Sequence, residues 1–386
     1  YFCYYDNKMI IGKTRIDDEY ENVVFANCNV TDIIIPSFIK HIKPYAFFNC
    51  LKLKKVDFNE SSKLISIDDY AFTNSKINEI SIPSSVIEIG DYAFKSIMYL
   101  ENAYIPEDSK LKKIGKEAFY NCSIKEIFIP DNIKEISVGA FSGCSKCKKV
   151  KITENSELSK IGEYAFQNSG IESIIIPINV EIISKSCFGG CNYLQEVQFH
   201  NRSKITKIES EAFFKTKISS IVIPPHVKVI EKFAFSECKY LDSVEFPENA
   251  EIEEIEESAF YNSFFIEITI PRKIKSIETE VFCYCFKLRY VYFQNNSQLT
   301  TICHDAFRCS GVEEICIPSN VETIGYCAFS NCKKLKKIEF ANNSKLNSIE
   351  TSAFFSTSIE SISIPPLIKQ IDKSIFNECK KLCAIE

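Results

Sequence analysis

Residues 79–94 read "EISIPSSVIEIGDYAF" and residues 126–141 read "EIFIPDNIKEISVGAF". The stretches begin 47 residues apart and share Ile, Ile-Pro, Val or Ile, Ile and Ala-Phe, while most positions between differ. An apolar frame kept at fixed spacing through otherwise free sequence marks a supersecondary unit repeated along the chain. Taking the Phe of each Ala-Phe-like pair as a marker gives Phe47, Phe72, Phe94, Phe119, Phe141, Phe166, Phe188, Phe213, Phe235, Phe260, Phe282, Phe307, Phe329, Phe354 and Phe376. Their intervals alternate 25 and 22 without exception, and Phe25 extends the series by 22 at the front. A second ladder, Pro36, Pro83, Pro130, Pro177, Pro224, Pro271, Pro318 and Pro365, advances by 47 at each step. The repeating unit is therefore a pair of rungs, one short and one long.

In the short rung after Phe72 the frame is Ile77, Ile80, Ile82, Val86, Ile89 and Ala93; in the long rung after Phe329 it is Leu335, Ile338, Phe340, Leu346, Ile349 and Ala353. The extra residues of the long rung fall in turns. One rung offers about seven apolar side chains, each worth roughly 1.5 to 3 kcal/mol when buried, against roughly 1 to 2 kcal/mol of backbone ordering for every residue. A lone rung cannot fold; stacked on copies of itself it can, because each neighbour covers its apolar edge and completes its backbone hydrogen bonds. Ile80-Ser81-Ile82 alternates as a strand does, and repetition makes these strands parallel neighbours in one long sheet. Pro83 and its equivalents, lacking an amide donor, end the strand. The "DYAF" at 91–94 reads as a single helical turn with Asp91 as its cap.

Composition sets the limits. Of 386 residues, 45% are hydrophobic and 25% charged, which is globular. The net charge of −5 arises from acidic and basic residues mixed along the whole length, so no basic stripe points to nucleic acid. No apolar run is long enough to span a membrane. The chain starts at Tyr1 without a Met and breaks off at Glu386 in mid-strand, from which a longer natural chain is expected.

The pattern "LKKIEFANNSKLNSIETSAFFSTSIESISIPPLIKQIDKSIFNEC" at 335–379, with its I-P, I-x-x-x-A-F and N-C positions, resembles the BspA-like branch of leucine-rich repeat proteins. The likeness covers about Phe25 to Glu386, so residues 25–386 are expected to form the array. Residues 1–24, where Tyr20 replaces the usual Ile, are expected to form a degenerate N-terminal cap or a flanking segment. The resemblance implies a leucine-rich repeat solenoid, a curved right-handed superhelix with a parallel β-sheet on its concave face and short turns, extended segments or single helical turns on the convex one. It also implies a non-enzymatic protein-binding role at the cell surface or in secreted form, with adhesion to host cells and extracellular-matrix macromolecules. The alternative is an intracellular protein interaction scaffold of the same fold.

Chemical motifs yield to the repeat. Three residues after the marker lies a column of Cys, Ser, Thr and one Ile: Cys28, Cys50, Ser75, Ile97, Cys122, Cys144 and onward to Cys379. Interchange with Ser and Thr marks a small packed turn position, although a disulfide between Cys28 and Cys50 or between Cys122 and Cys144 stays open because adjacent rungs lie roughly 4.8 Å apart. "CSKC" at 144–147 imitates a metal or redox motif, but Cys144 belongs to the column and Cys147 takes the place of a frame Leu. Cys303 and His304 adjoin in sequence, which supplies neither hydrogen-bond reach nor an orienting group. No catalytic, metal or cofactor site is indicated. Sequons at Asn59, Asn201, Asn295 and Asn342 lie in the extra loop of long rungs, with further ones at Asn29 and Asn121.

A partner would meet the side chains flanking the second strand Ile, which point out of the sheet. Tyr104, Phe128, Lys151 and Ile175 are successive members of one column, with Lys149 beside them. Tyr290 and Tyr292 form a second patch. Exposed aromatics beside cations have the composition of interface anchors, so these residues are the expected binding site for a protein or glycoprotein ligand.

Overall fold

The computed structural model describes residues 2–13 and 19–386. Two compact units are distinguished, Tyr1–Ser203 and Lys204–Glu386. Each is a solenoid of stacked rungs built almost entirely from short parallel strands and turns.

In the first unit each rung contributes two strands to two different sheets. The first sheet face is made by Asp32–Ile35, Lys55–Phe58, Glu79–Ser81 and Asn102–Tyr104, followed by a second group of four, Glu126–Ile129, Lys149–Ile152, Ser173–Ile176 and Glu196–Phe199. The expected single long sheet is thus divided into hydrogen-bonded groups, although the Lys125 amide still donates to the Glu101 carbonyl across the division at 3.0 Å. Register matches frame to frame: Ile33 opposite Val56, Ile80 opposite Ala103, Ile127 opposite Val150. The return path forms a sheet of its own, running through His41–Ile42, Ser66–Ile67, Glu88–Ile89, Lys113–Ile114, Glu135–Ile136 and Lys160–Ile161. The second unit repeats this plan, with Glu267–Ile270, Tyr290–Phe293, Glu314–Ile317 and Lys337–Phe340 on one sheet and Ser276–Ile277, Thr301–Ile302, Thr323–Ile324 and Ser348–Ile349 on the other.

Between the sheets run the marker phenylalanines. From Phe47 to Phe188 successive rings stack in parallel with centroids 4.6 to 5.7 Å apart. From Phe213 to Phe376 the spacings are 5.0 to 6.0 Å. Such contacts add roughly 0.5 to 1.5 kcal/mol per pair to the burial itself.

The segment around each marker is not the expected helical turn. Alternate amides leave the rung: Tyr92, Phe94 and Ser96 donate to the carbonyls of Lys116, Ala118 and Tyr120 in the next rung at 2.7 to 2.8 Å. The amides between them close tight turns within the rung, as Lys95 does on Tyr92. To aim every second amide along the stack, the residues two before and two after the marker adopt left-handed backbone, as at Tyr92 (φ 60°) and Ser96 (φ 59°). The position after the marker is Asn at Asn49, Asn74, Asn121, Asn168, Asn262 and Asn331, since Asn tolerates this region better than most residues. Around Phe141 both positions are glycine, Gly139 and Gly143. Asp91 caps no helix either: its carboxylate accepts the Lys116 amide of the following rung at 2.8 Å. Among the described residues a helical turn occurs at Lys373–Phe376, where Asp372 accepts the Ser374 amide.

Phe25 departs from the marker series. The strands β1 (Phe2–Tyr5), β2 (Met9–Gly12) and β3 (Asn22–Ala26) form an antiparallel meander whose third strand pairs in parallel with His41–Ile42. Extended rather than left-handed backbone here turns Phe25 outward, 55% exposed. Ala26, one residue later, is buried, and its amide donates to Ala46 at 2.9 Å as Phe47 does to Ala71.

Replacing the fully buried Phe119 by alanine is expected to cost about 3 to 5 kcal/mol, whereas Phe25→Ser should stay within roughly 0.5 kcal/mol. Urea unfolding of the two variants checks the contrast.

Candidate functional site

Backbone accounting explains the cysteine column. In many rungs the thiol donates to the marker carbonyl of the preceding rung: Cys122 to Phe94, Cys144 to Phe119 and Cys191 to Phe166, each at 3.0 Å. In the second unit Cys238, Cys285, Cys332 and Cys379 do the same at 3.0 to 3.2 Å. The Ser263 hydroxyl performs this task at 2.6 Å on Phe235. At these rungs the position supplies a donor as well as small size, a property that Cys, Ser and Thr share, whereas the Thr216 hydroxyl turns to its own marker Phe213 at 2.9 Å and the buried Ser75 hydroxyl has no partner among the described residues. Cys28 and Cys50 are joined in a disulfide, while Cys122 and Cys144 remain free thiols. Burial pushes the thiols of Cys122, Cys191, Cys285 and Cys332 up to about 12, which leaves them protonated and poorly nucleophilic.

The remaining motifs come apart in space. Both cysteines of "CSKC" are buried, Cys144 on the Phe119 carbonyl and Cys147 against the Lys149 carbonyl. Cys303 points to Glu278 at 3.8 Å and His304 to the Thr279 hydroxyl at 3.3 Å, so the two face different partners. Burial and the Glu278 carboxylate push the Cys303 thiol up to about 11. Among the described residues no group of three or more His, Cys, Asp and Glu is placed to hold a metal ion.

On the sheet face, alternation exposes the expected column. Tyr104 is 60% exposed at the end of Asn102–Tyr104, opposite Ser81. Phe128 is half-buried and lies directly opposite Lys151 on the neighbouring strand. Tyr104, Phe128 and Lys151 meet in one cleft of about 360 Å³, together with Glu107 and Glu126. Lys149 is exposed and Ile175 is 54% exposed, but neither lines that cleft. Lys151 is held by Glu126 at 3.3 Å, so the cation expected beside the aromatics is already paired. Tyr104 has a second side as well: it closes an adjoining cleft of about 420 Å³ walled by Lys55, Asp57, Glu60, Glu79 and Asp108. Glu60, Glu107 and Asp108 lie in loops that a strand-based reading passes over.

In the second unit Tyr290 and Tyr292 leave the same strand with ring centroids 6.4 Å apart and line a smaller cleft of about 220 Å³ with Cys316, Glu314, Lys337 and Glu339. Two further features were missed. Tyr45, Tyr70 and Tyr92, the left-handed residues two before their markers, stack with centroids 4.9 and 4.6 Å apart, and Lys95 lies 4.9 Å from the Tyr92 ring. Their spacing in sequence equals that of the markers, which was the available signal. The other is a cleft of about 690 Å³ in the second unit, where Glu253, Glu254, Glu256 and Glu257 face Lys232 and Lys273; a charge run split between strand and turn carries no such signal.

A family profile described as BspA type leucine rich repeat region matches the chain at residues 18–148, 112–224, 206–310 and 300–386. The chain belongs to the BspA type leucine-rich repeat family. No curated protein matches the chain. Among solved structures, a leucine-rich repeat protein from Bacteroides ovatus is similar at 21% identity over 97% of this chain and 90% of that one, with a TM-score of 0.56, a likeness of fold. A leucine-rich cell surface protein from Faecalibacterium prausnitzii is 23% identical over 100% of this chain and 92% of its own, with a TM-score of 0.43. Of the described residues, no helix is long and apolar enough to cross a membrane.

Two outcomes are expected of the thiols. The Phe119 carbonyl accepts the Cys122 amide at 3.2 Å as well as the Cys144 thiol, so Cys144→Ser, which keeps the second donor, should retain stability better than Cys144→Val, which removes one hydrogen bond at a cost of about 0.5 to 1.5 kcal/mol; urea midpoints decide. The buried thiols hold their protons in the folded chain and lose them near the ordinary value of 9.0 when unfolded. Their contribution is complete below pH 9 and is lost as the pH rises towards 12, so the urea midpoint should fall across that window. A midpoint that rises there would contradict the burial of these groups.

Proposed function

We propose that this chain is a non-enzymatic protein-binding solenoid, displayed outside the cell as an adhesin-like protein, whose sheet face receives its ligand around Tyr104 and Phe128, with the Tyr290 and Tyr292 patch as a second contact. One observation carries the reading: a rigid, backbone-locked sheet presents a large aromatic side chain as the wall of two clefts. Rigid aromatic anchors in pockets supply most of the energy in protein interfaces because they bury much area at little entropic cost. The outer location is supported by the resemblance to surface proteins of the family. It is supported too by the exposure of Asn29, Asn59, Asn121, Asn201, Asn295 and Asn342. The Cys28–Cys50 disulfide suits an oxidising compartment.

Changing Tyr104 and Phe128 together to Ser should abolish most of the binding of the whole chain to a peptide array of mixed sequence, with thermal unfolding unchanged. Unaltered capture by the double variant would reject the patch. Protease treatment of intact producing cells tests the location: the chain should be degraded while cytoplasmic proteins persist.

A further inference from the structure

We propose that the two clefts sharing the Tyr104 ring form one recognition site for a cationic side chain, arginine or lysine, carried on an apolar segment of a partner protein. The inference rests on the sheet-face reading and adds the chemistry of the partner.

Tyr104 stands between the clefts, with Phe128 on the floor of one and the loop after its own strand bordering both. Exposed aromatic faces accept cations, and lysines elsewhere on this chain already do so, Lys76 over Tyr99 and Lys217 over Tyr240. Among the described residues no lysine is placed over Tyr104 in that way. The charges around the ring have a definite sign. Both lysines of the walls are neutralised within the chain, Lys55 by Asp57 at 2.8 Å and Lys151 by Glu126 at 3.3 Å. The other carboxylates, Glu60, Glu79, Glu107 and Asp108, are exposed and enter no ion pair in the described residues. An anionic ligand would meet four uncompensated negative charges beside the aromatic wall. A cationic side chain would meet the ring, the carboxylates and an apolar floor at once, and an aliphatic stem of lysine or arginine suits such a floor. Opposite potentials of this kind select the partner and speed its approach.

Fluorescence anisotropy of the whole chain with two labelled heptapeptides, one alternating arginine with valine and one alternating glutamate with valine, tests the proposal. The arginine peptide should bind and the glutamate peptide should not, and binding should weaken as salt screens the carboxylates. Glu79→Gln combined with Asp108→Asn should weaken the arginine peptide about tenfold. Tyr104→Phe should keep its affinity while Tyr104→Leu loses several-fold. Because a chain of negative net charge attracts any cation weakly, Glu253→Gln with Glu254→Gln at the other acidic cleft is the control and should leave affinity unchanged. Equal binding of both peptides, or equal loss from the control and the Tyr104 site, would overturn the proposal. Array peptides captured through Tyr104 and Phe128 that prove acidic or uncharged would overturn it while leaving the sheet-face reading intact; capture independent of both residues removes the two together.

Discussion

A rung of this protein has no inside of its own. Its marker phenylalanine is covered by the phenylalanines above and below, and every second amide of the turn that carries it is satisfied by a neighbouring rung. Apolar burial and backbone pairing thus act along the same axis and fail together if a rung is removed from its neighbours. The cysteine column belongs to the same constraint, because its thiols reach back to the marker carbonyl of the preceding rung and so tie one rung to the next.

That axis was legible in the sequence because both of its terms demand fixed spacing. The alternating intervals from Phe47 to Phe376 and the proline ladder locate the strands, and the rings stack where the spacing places them. What the spacing leaves open is backbone handedness. The Val86 to Phe94 stretch fits a helical face as well as it fits a short strand followed by a turn, and the pairing of Glu88–Ile89 and the left-handed backbone at Tyr92 and Ser96 separate the two. Phe25 shows the same limit from the other side: the right residue at the right interval lies in an antiparallel strand, and its side chain turns to water. The donor role of the column was half visible, since exchange among Cys, Ser and Thr signals a hydrogen bond as well as small size.

The sheet face was legible residue by residue and not as a site. Alternation alone exposes Tyr104 and places Phe128 opposite Lys151. Which charges surround them depends on loops, where Glu107 and Asp108 curl back beside Tyr104, and on rung-to-rung ion pairs such as Lys151 with Glu126 and Lys148 with Glu172. Those pairs set opposite charges on successive rungs and cancel much of the basic appearance of "SKCKKVK" at 145–151. The environment of the aromatic wall is consequently acidic, although one of its neighbouring strands, Lys149–Ile152, reads as basic in the sequence.

Excising residues 95–141, one complete pair of rungs, tests the central constraint most directly, because it joins Phe94 to Ser142 in the place that Lys95 held. If rungs are stabilised by like neighbours, the shortened chain folds with unchanged circular dichroism per residue and a cooperative urea transition, while removal of a stretch five residues shorter does not. Loss of cooperative folding on the in-register excision would contradict the account.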